Sequence, residues 1–316
     1  MKKLSIITTT YKSEKYLETY FRNITKQVDF DNFEIILILN EPSIKEKEIF
    51  NYYKKLYLDN IKIIQVGLEN ISTSINRGFK LAESEFVTCI DVDDLRKTDS
   101  LIRQIKTLNS SLKDDYTYGD FIIVPKQGVF KGIYIKTPEF TKIEAIRSSV
   151  VGPNHFFRKK ILNKCGYWDE QFKSGGDFDF QVRAALNVDF KKTPGDELLY
   201  YTRYKGSGSA SSSILQQIER TVIELRYGIY DKINYKYLPK ALEYDIYHVY
   251  YNGEKKHISE LIPNYFEFIE EKYKKYFKKG IKKNLINPII IEKFNLGLKY
   301  FFNNPVVFFK KIIKKI

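Results

Sequence analysis

Two cysteines in 316 residues, Cys89 and Cys165, are too few for a disulfide framework and too far apart for a short metal-ligand motif. A cystine-stapled secreted scaffold and a structural zinc site are thereby excluded, and a reducing cytoplasm fits the count. Long apolar runs are also missing: no stretch reaches the ~20 residues that span a bilayer. The opening Met1-Lys2-Lys3-Leu4-Ser5-Ile6-Ile7 begins like a secretion signal, but it gives way to Thr8-Thr9-Thr10-Tyr11 with no small-residue cleavage site. It reads as a first strand. No GxGxxG and no GxxxxGK[ST] opens any helix, which argues against an ordinary dinucleotide fold and a P-loop.

What is present is repeated βα winding. Leu4–Thr9, Glu34–Leu39, Ile61–Val66 and Phe86–Ile90 are short β-rich runs separated by helical periodicity. Ser13 is a candidate cap for a helix with Tyr16, Leu17, Tyr20, Phe21 and Ile24 on one face, and further helices are expected over 43–57 and 73–82. This pattern predicts a doubly wound α/β sheet. Past a helix at 101–112 the pattern loosens into strands at Tyr116–Val124 and Gly132–Ile135 and a helix near Lys142–Arg147. Residues 206–213, Gly-Ser-Gly-Ser-Ala-Ser-Ser-Ser, have little to bury and read as a flexible loop or hinge. A domain of residues 1–213 and a helical, Lys- and Tyr-rich region of 214–316 follow from that reading.

The fourth strand ends in Asp91-Val92-Asp93-Asp94, three carboxylates where a strand's carboxyl end meets solvent. Open α/β sheets bind ligands there. Carboxylates gathered in this way suit Mg²⁺ or Mn²⁺, which takes one or two of them and completes its shell with substrate phosphates. The competing reading is a turn followed by a helix capped by Thr98 or Asp99.

Six segments stand in order: Ser5-Ile6-Ile7-Thr8-Thr9-Thr10-Tyr11 with Tyr16-Leu17, Glu34-Ile35-Ile36, Asn76-x-Gly78, Asp91-x-Asp93-Asp94, Gly166-Tyr167-Trp168-Asp169-Glu170 and Gly176-Asp177. Over residues 1 to about 210 the chain resembles the family 2 glycosyltransferases of GT-A fold, including bacterial enzymes that build surface glycans. The resemblance implies inverting transfer of a sugar from a nucleotide diphosphate, UDP first, to a hydroxyl of a glycan or lipid-linked acceptor. It places Thr9 and Tyr11 at the nucleobase, Asp91 near the ribose, Asp93 on the metal and Asp177 as the base that takes the acceptor's proton. Trp168 and Asp169 match its acceptor-side segment, and His155 lies in the segment before it. Lys205 falls where the family has a His in the segment leading into a loop over the diphosphate, and a cation there suits phosphate better than metal.

The chain also departs from type. Leu39-Asn40-Glu41-Pro42 replaces Asp-Asp-Gly-Ser, leaving Asn40 at the base-reading position, where its amide can still accept from a uracil N–H. Ile75 stands where many relatives carry Arg, and Gly176 where a Glu usually precedes the base. These departures leave a second reading open, a catalytically silent sugar-nucleotide-binding subunit of a glycan-assembly complex.

Charge is lopsided. From Lys272 to Ile316 there are 13 lysines, no arginine and one acid, Glu292, so nearly all of the net +14 sits in the last 45 residues. Val306, Phe309, Ile313 and Ile316 share a helical face, with Lys310, Lys311, Lys314 and Lys315 opposite, a pattern that predicts a helix lying on an anionic membrane surface. Nucleic acid is disfavoured, because the tail lacks arginine and an apolar face is of little use on phosphate. The expected location is cytoplasmic and peripheral, at the inner face of the membrane, with oligomerisation open.

Overall fold

The computed structural model describes residues 2–111, 113–203 and 213–277, with side chains to residue 272. Met1–Ile269 forms one compact unit and Glu270–Ile316 a second. The first unit holds the whole winding. Strands β1 (Leu4–Thr10), β2 (Phe33–Asn40), β3 (Ile61–Val66) and β4 (Phe86–Cys89) lie parallel in the order β4-β1-β2-β3. Every residue of β2 is buried, as its unbroken apolar run requires of a strand covered on both faces.

Helices α1 (Glu14–Ile24), α2 (Ile44–Leu56), α3 (Ile71–Leu81) and α4 (Ser100–Asn109) follow the first four strands. Ser43 and Glu46 form a reciprocal capping box on α2. Ser13 stands at the head of α1 but does not cap it; its hydroxyl donates instead to Glu46 Oε1 at 2.9 Å, tying α1 to α2. The Asn76-x-Gly78 motif has a packing reason on each side. A Cβ on Gly78 would fall 2.4 Å from Ile7 Cγ2, so only glycine lets α3 settle on β1. The Asn76 amide donates to Trp168 O at 2.8 Å and accepts Trp168 N–H at 2.9 Å, fixing a segment 92 residues away.

The run Tyr116–Val124, expected as one strand, is two: β6 (Asp114–Tyr118) and β7 (Phe121–Val124). They belong to different sheets. Asp120 at the break accepts the N–H and hydroxyl of Thr137, and Gly119 lies against Leu198, so the chain turns where an alternating strand would continue. Strand β6 joins β4 through the antiparallel β9 (Phe156–Arg158), and β10 (Asp189–Lys192) closes that edge to give a seven-stranded mixed sheet. A second sheet, β5-β11-β7-β8, is built from β5 (Leu95–Arg96), β11 (Leu199–Thr202), β7 and β8 (Ile133–Ile135).

Short helices α5 (Lys142–Arg147) and α6 (Leu162–Cys165) precede α7 (Gly176–Asn187), the helix that carries Asp177. Helix α8 (Ile214–Arg226), capped by Ser213 where the domain division was expected, lies within the first unit. Its last residue, Arg226, is fully buried and donates to Asp169 Oδ2 at 2.9 Å and Asp179 Oδ1 at 2.7 Å. The strands β12 (His248–Tyr251) and β13 (Glu254–His257) pair as a hairpin whose His248 carbonyl accepts from the same guanidinium. The amphipathic stretch 306–316 lies outside the described residues, among which no helix is long and apolar enough to cross a membrane.

Candidate active site

A cleft of about 440 Å³ opens at the carboxyl end of β4. Asp91, Asp94, Arg96, His155, Trp168 and Asp177 are among the residues that line it. The carboxylate segment is a turn, closed by Asp94 N–H donating to Asp91 O at 3.2 Å. Strand β11 clamps it: Thr202 donates its N–H to Asp94 Oδ1 at 2.7 Å and its hydroxyl to Asp93 O at 2.6 Å. Asp94 is therefore a buried support of the turn. Asp91 faces the cleft with its side chain exposed; its seat in that concavity, followed by the negative charges of Asp93 and Asp177, raises its pKa above the ordinary carboxylate range.

Asp91 of the turn and Asp177 line the same cleft although they are 86 residues apart in sequence. Asp177 lies in the first turn of α7, and its side chain is 43% exposed. Its Oδ1 accepts the N–H of Phe178 at 2.7 Å, leaving Oδ2 toward His155 Nε2 at 3.8 Å. Gly175, and not Asp177, occupies the cap position of α7. Asp179, the neighbouring acid, is fully buried between Arg183 and Arg226 and accepts from Tyr227 as well. Burial would raise its pKa, but the two guanidinium groups outweigh that and hold it low, as a permanent structural anion.

Trp168 and His155 both line the cleft, and their rings meet edge to face at 5.9 Å. Asp169, expected beside them on the acceptor side, is instead fully buried, bound by Arg226, Gln171 and the N–H of Tyr250. The base-reading expectation for Asn40 meets a similar obstacle. Its amide is buried and tied within the chain, accepting Glu69 N–H at 3.1 Å and donating to Ser74 Oγ at 3.0 Å. Thr9 is half-buried near the end of β1, and Tyr11 just beyond it is 45% exposed with the Lys12 ammonium 5.0 Å from its ring. Lys205 lies outside the described residues.

Among the described residues, no three His, Cys, Asp or Glu side chains converge as a ready-made metal cage. The donor set at the turn is carboxylate oxygen, and the charges that raise Asp91 are both negative, which is the chemistry a hard divalent cation relieves when substrate phosphates complete its shell. The residues fit such an ion. Sequence reasoning missed Tyr116, Ser72, Glu219 and Arg226, which touch the site's residues from behind. Asp179 and Arg183, spaced i and i+4, were the one legible hint of a buried ion network on α7.

The family model described as glycosyl transferase family 2 matches residues 5–173. Among curated proteins the chain is similar to the poly(ribitol-phosphate) beta-N-acetylglucosaminyltransferase TarS of Staphylococcus aureus, 25% identical over 68% of this chain and 38% of that protein. It is also similar to the poly(ribitol-phosphate) beta-glucosyltransferase of Bacillus spizizenii, 24% identical over 63% of this chain and 32% of that protein. The chain thus spans about a third of the length of these relatives. Among solved structures, residues 1–349 of S. aureus TarS in complex with UDP-GlcNAc superpose with a TM-score of 0.60 at 23% identity, covering 75% of this chain and 69% of that one. The likeness establishes the GT-A architecture, a mixed α/β sheet with its cleft at the strand ends.

Proposed function

Since the chain belongs to glycosyl transferase family 2, we propose that it moves a sugar from a UDP-linked donor to a hydroxyl of a surface glycan, such as a polyol-phosphate or lipid-linked chain, with inversion at the anomeric carbon. The observation that carries this reading is the placement of Asp177: half-exposed in the cleft, next to the carboxylate turn, while Asp179 is locked away. In a single in-line displacement the acceptor oxygen bonds to the anomeric carbon as the bond to the diphosphate oxygen breaks. The acceptor's proton passes to Asp177, and a carboxylate within reach of that hydroxyl suits the task. Asp93, with Asp91, would hold Mn²⁺ or Mg²⁺, which when bound supplies Lewis-acid stabilisation of the departing diphosphate.

The relatives named for poly(ribitol-phosphate) support a phosphate-bearing polyol chain as acceptor. Tyr11, exposed at the end of β1, offers a ring on which a base can stack. Trp168 forms the wall against which an acceptor would lie, and Lys205 would meet the diphosphate. The lysine-rich end supports attachment to the inner face of the membrane.

UDP release from UDP-GlcNAc and UDP-glucose in Mn²⁺ tests the proposal. Turnover is expected for the full chain and is expected to be lost in Asp177→Asn and Asp93→Ala. Full activity in Asp177→Asn would remove the base assignment, and tight UDP binding without turnover in the unaltered protein would favour the silent subunit.

A further inference from the structure

His155 is 5% exposed, immediately ahead of β9, and its carbonyl accepts Thr88 Oγ1 at 2.7 Å, which pins its main chain to β4. Its two ring nitrogens face different partners. Nδ1 lies 2.5 Å from the hydroxyl of Tyr116, a fully buried residue of β6. Nε2 is sealed from solvent, makes no hydrogen bond, and has Asp177 Oδ2 at 3.8 Å. Tyr116 is itself immobilised, stacked on Phe190 at 4.2 Å and on Phe157 at 5.3 Å.

The tautomer follows from donor and acceptor needs. Burial holds the Tyr116 phenol far above its ordinary pKa, so it keeps its proton. The hydroxyl donates that proton to Nδ1, which leaves the ring proton on Nε2. Electrostatics agrees: a ring N–H facing a carboxylate is attractive, whereas a lone pair there would repel it.

We propose that His155 is a positioning residue for Asp177, its Nε2–H aiming the carboxylate at the acceptor hydroxyl, with Tyr116 fixing the tautomer that permits this. The inference rests on the reading of Asp177 as the base. At 3.8 Å the contact is longer than a hydrogen bond, and contacts of this kind tighten when substrates fill the site. With Phe178 N–H on Oδ1 and His155 Nε2–H on Oδ2, the carboxylate is held at both oxygens, each keeping a lone pair for the incoming proton.

Two measurements test this, one without turnover. In ¹⁵N-imidazole spectra of the full chain, which has three histidines, His155 is expected as the Nε2–H tautomer and Tyr116→Phe is expected to disturb that state. An Nδ1–H tautomer in the unaltered protein would overturn the proposal. In UDP release from UDP-GlcNAc with Mn²⁺, Gln at position 155 keeps an N–H near the Nε2 position, while Asn keeps one only near Nδ1. His155→Asn is expected to lower kcat about 10- to 100-fold with donor KM nearly unchanged, and His155→Gln to recover most of that loss. Tyr116→Phe, which preserves the ring, is expected to lower kcat by a smaller factor. An inactive Asp177→Asn together with fully active His155→Asn would sink the positioning role and leave the base assignment standing. Full activity in Asp177→Asn would remove both.

Discussion

The carboxylate of Glu219 receives the N–H of Gly175 at 2.7 Å, at the head of the helix that carries Asp177. It also accepts the N–H groups of Ser174 and Lys173, each at 2.8 Å. Three consecutive main-chain donors folded round one anion form a nest, and here the anion comes from α8. The loop before the base is thus held by the segment that follows the Gly/Ser-rich stretch.

Glu219→Gln presents an amide NH₂ where one of those N–H groups needs an acceptor. A buried donor left unpaired costs about 1–3 kcal/mol. The expected outcome is a lower midpoint in urea and reduced kcat for UDP release, because the residues ahead of Asp177 shift. An unchanged midpoint with unchanged kcat would show that the nest holds nothing the site needs.

Arg226 answers to five acceptors at once: Asp169, Asp179 and the carbonyls of Ile246, Asp245 and His248. Arg226→Met would leave Asp169 buried without its cation, a loss of about 3–5 kcal/mol. Lysine is not expected to rescue it, since a point charge does not reproduce the planar fork. Asp179→Asn is expected to destabilise strongly as well, whereas Asp177→Asn, at a half-exposed position, is expected to leave stability within about 0.5 kcal/mol. Urea denaturation of the four variants checks the contrast, and equal effects at 177 and 179 would contradict it.

What the sequence could convey depended on where each interaction's information lies. The parallel strands and the helices between them were legible because burial imposes periodicity on the residues themselves. The carboxylate turn and Asp177 were legible because their chemistry needs particular side chains. Asp169 was not, because its partner Arg226 lies 57 residues on, in a segment assigned to another domain. Glu219 was invisible for a different reason: its partners are main-chain N–H groups, which every residue but proline owns. Asn40 looked available to a base because nothing in the sequence marks Ser74 and the N–H of Glu69 as its partners.

Gly176, where the family usually has Glu, has a steric explanation. A Cβ there would fall 2.5 Å from Ser72 Oγ, which donates to Phe172 O at 2.9 Å. Gly176→Ala therefore forces Ser72 to rotate and give up that bond, at a cost of about 1 kcal/mol. In a Ser72→Ala background the same substitution is expected to cost less, giving a coupling of at least about 0.5 kcal/mol in a double-mutant cycle. Strict additivity would show that Ser72 does not set the residue at 176.

Asp245 predicts an acid limit to stability. Its carboxylate accepts from Tyr250 Oη at 2.6 Å and pairs with Lys255 Nζ at 2.9 Å and His248 Nδ1 at 2.8 Å. Burial pushes its pKa up, but these partners outweigh burial and hold it far below the ordinary 3.8. A carboxyl depressed in the folded state contributes stability above the unfolded value, and that contribution is lost as pH falls below about 4. Asp245→Asn should therefore be less stable than the unaltered protein at pH 7, with the gap narrowing steadily as pH falls below 4. Because the His248 carbonyl beside this carboxylate also holds Arg226, amide exchange in β12 and β13 should rise over the same interval. A gap that stays constant down to pH 2 would mean that the carboxylate's partners do not stabilise the fold.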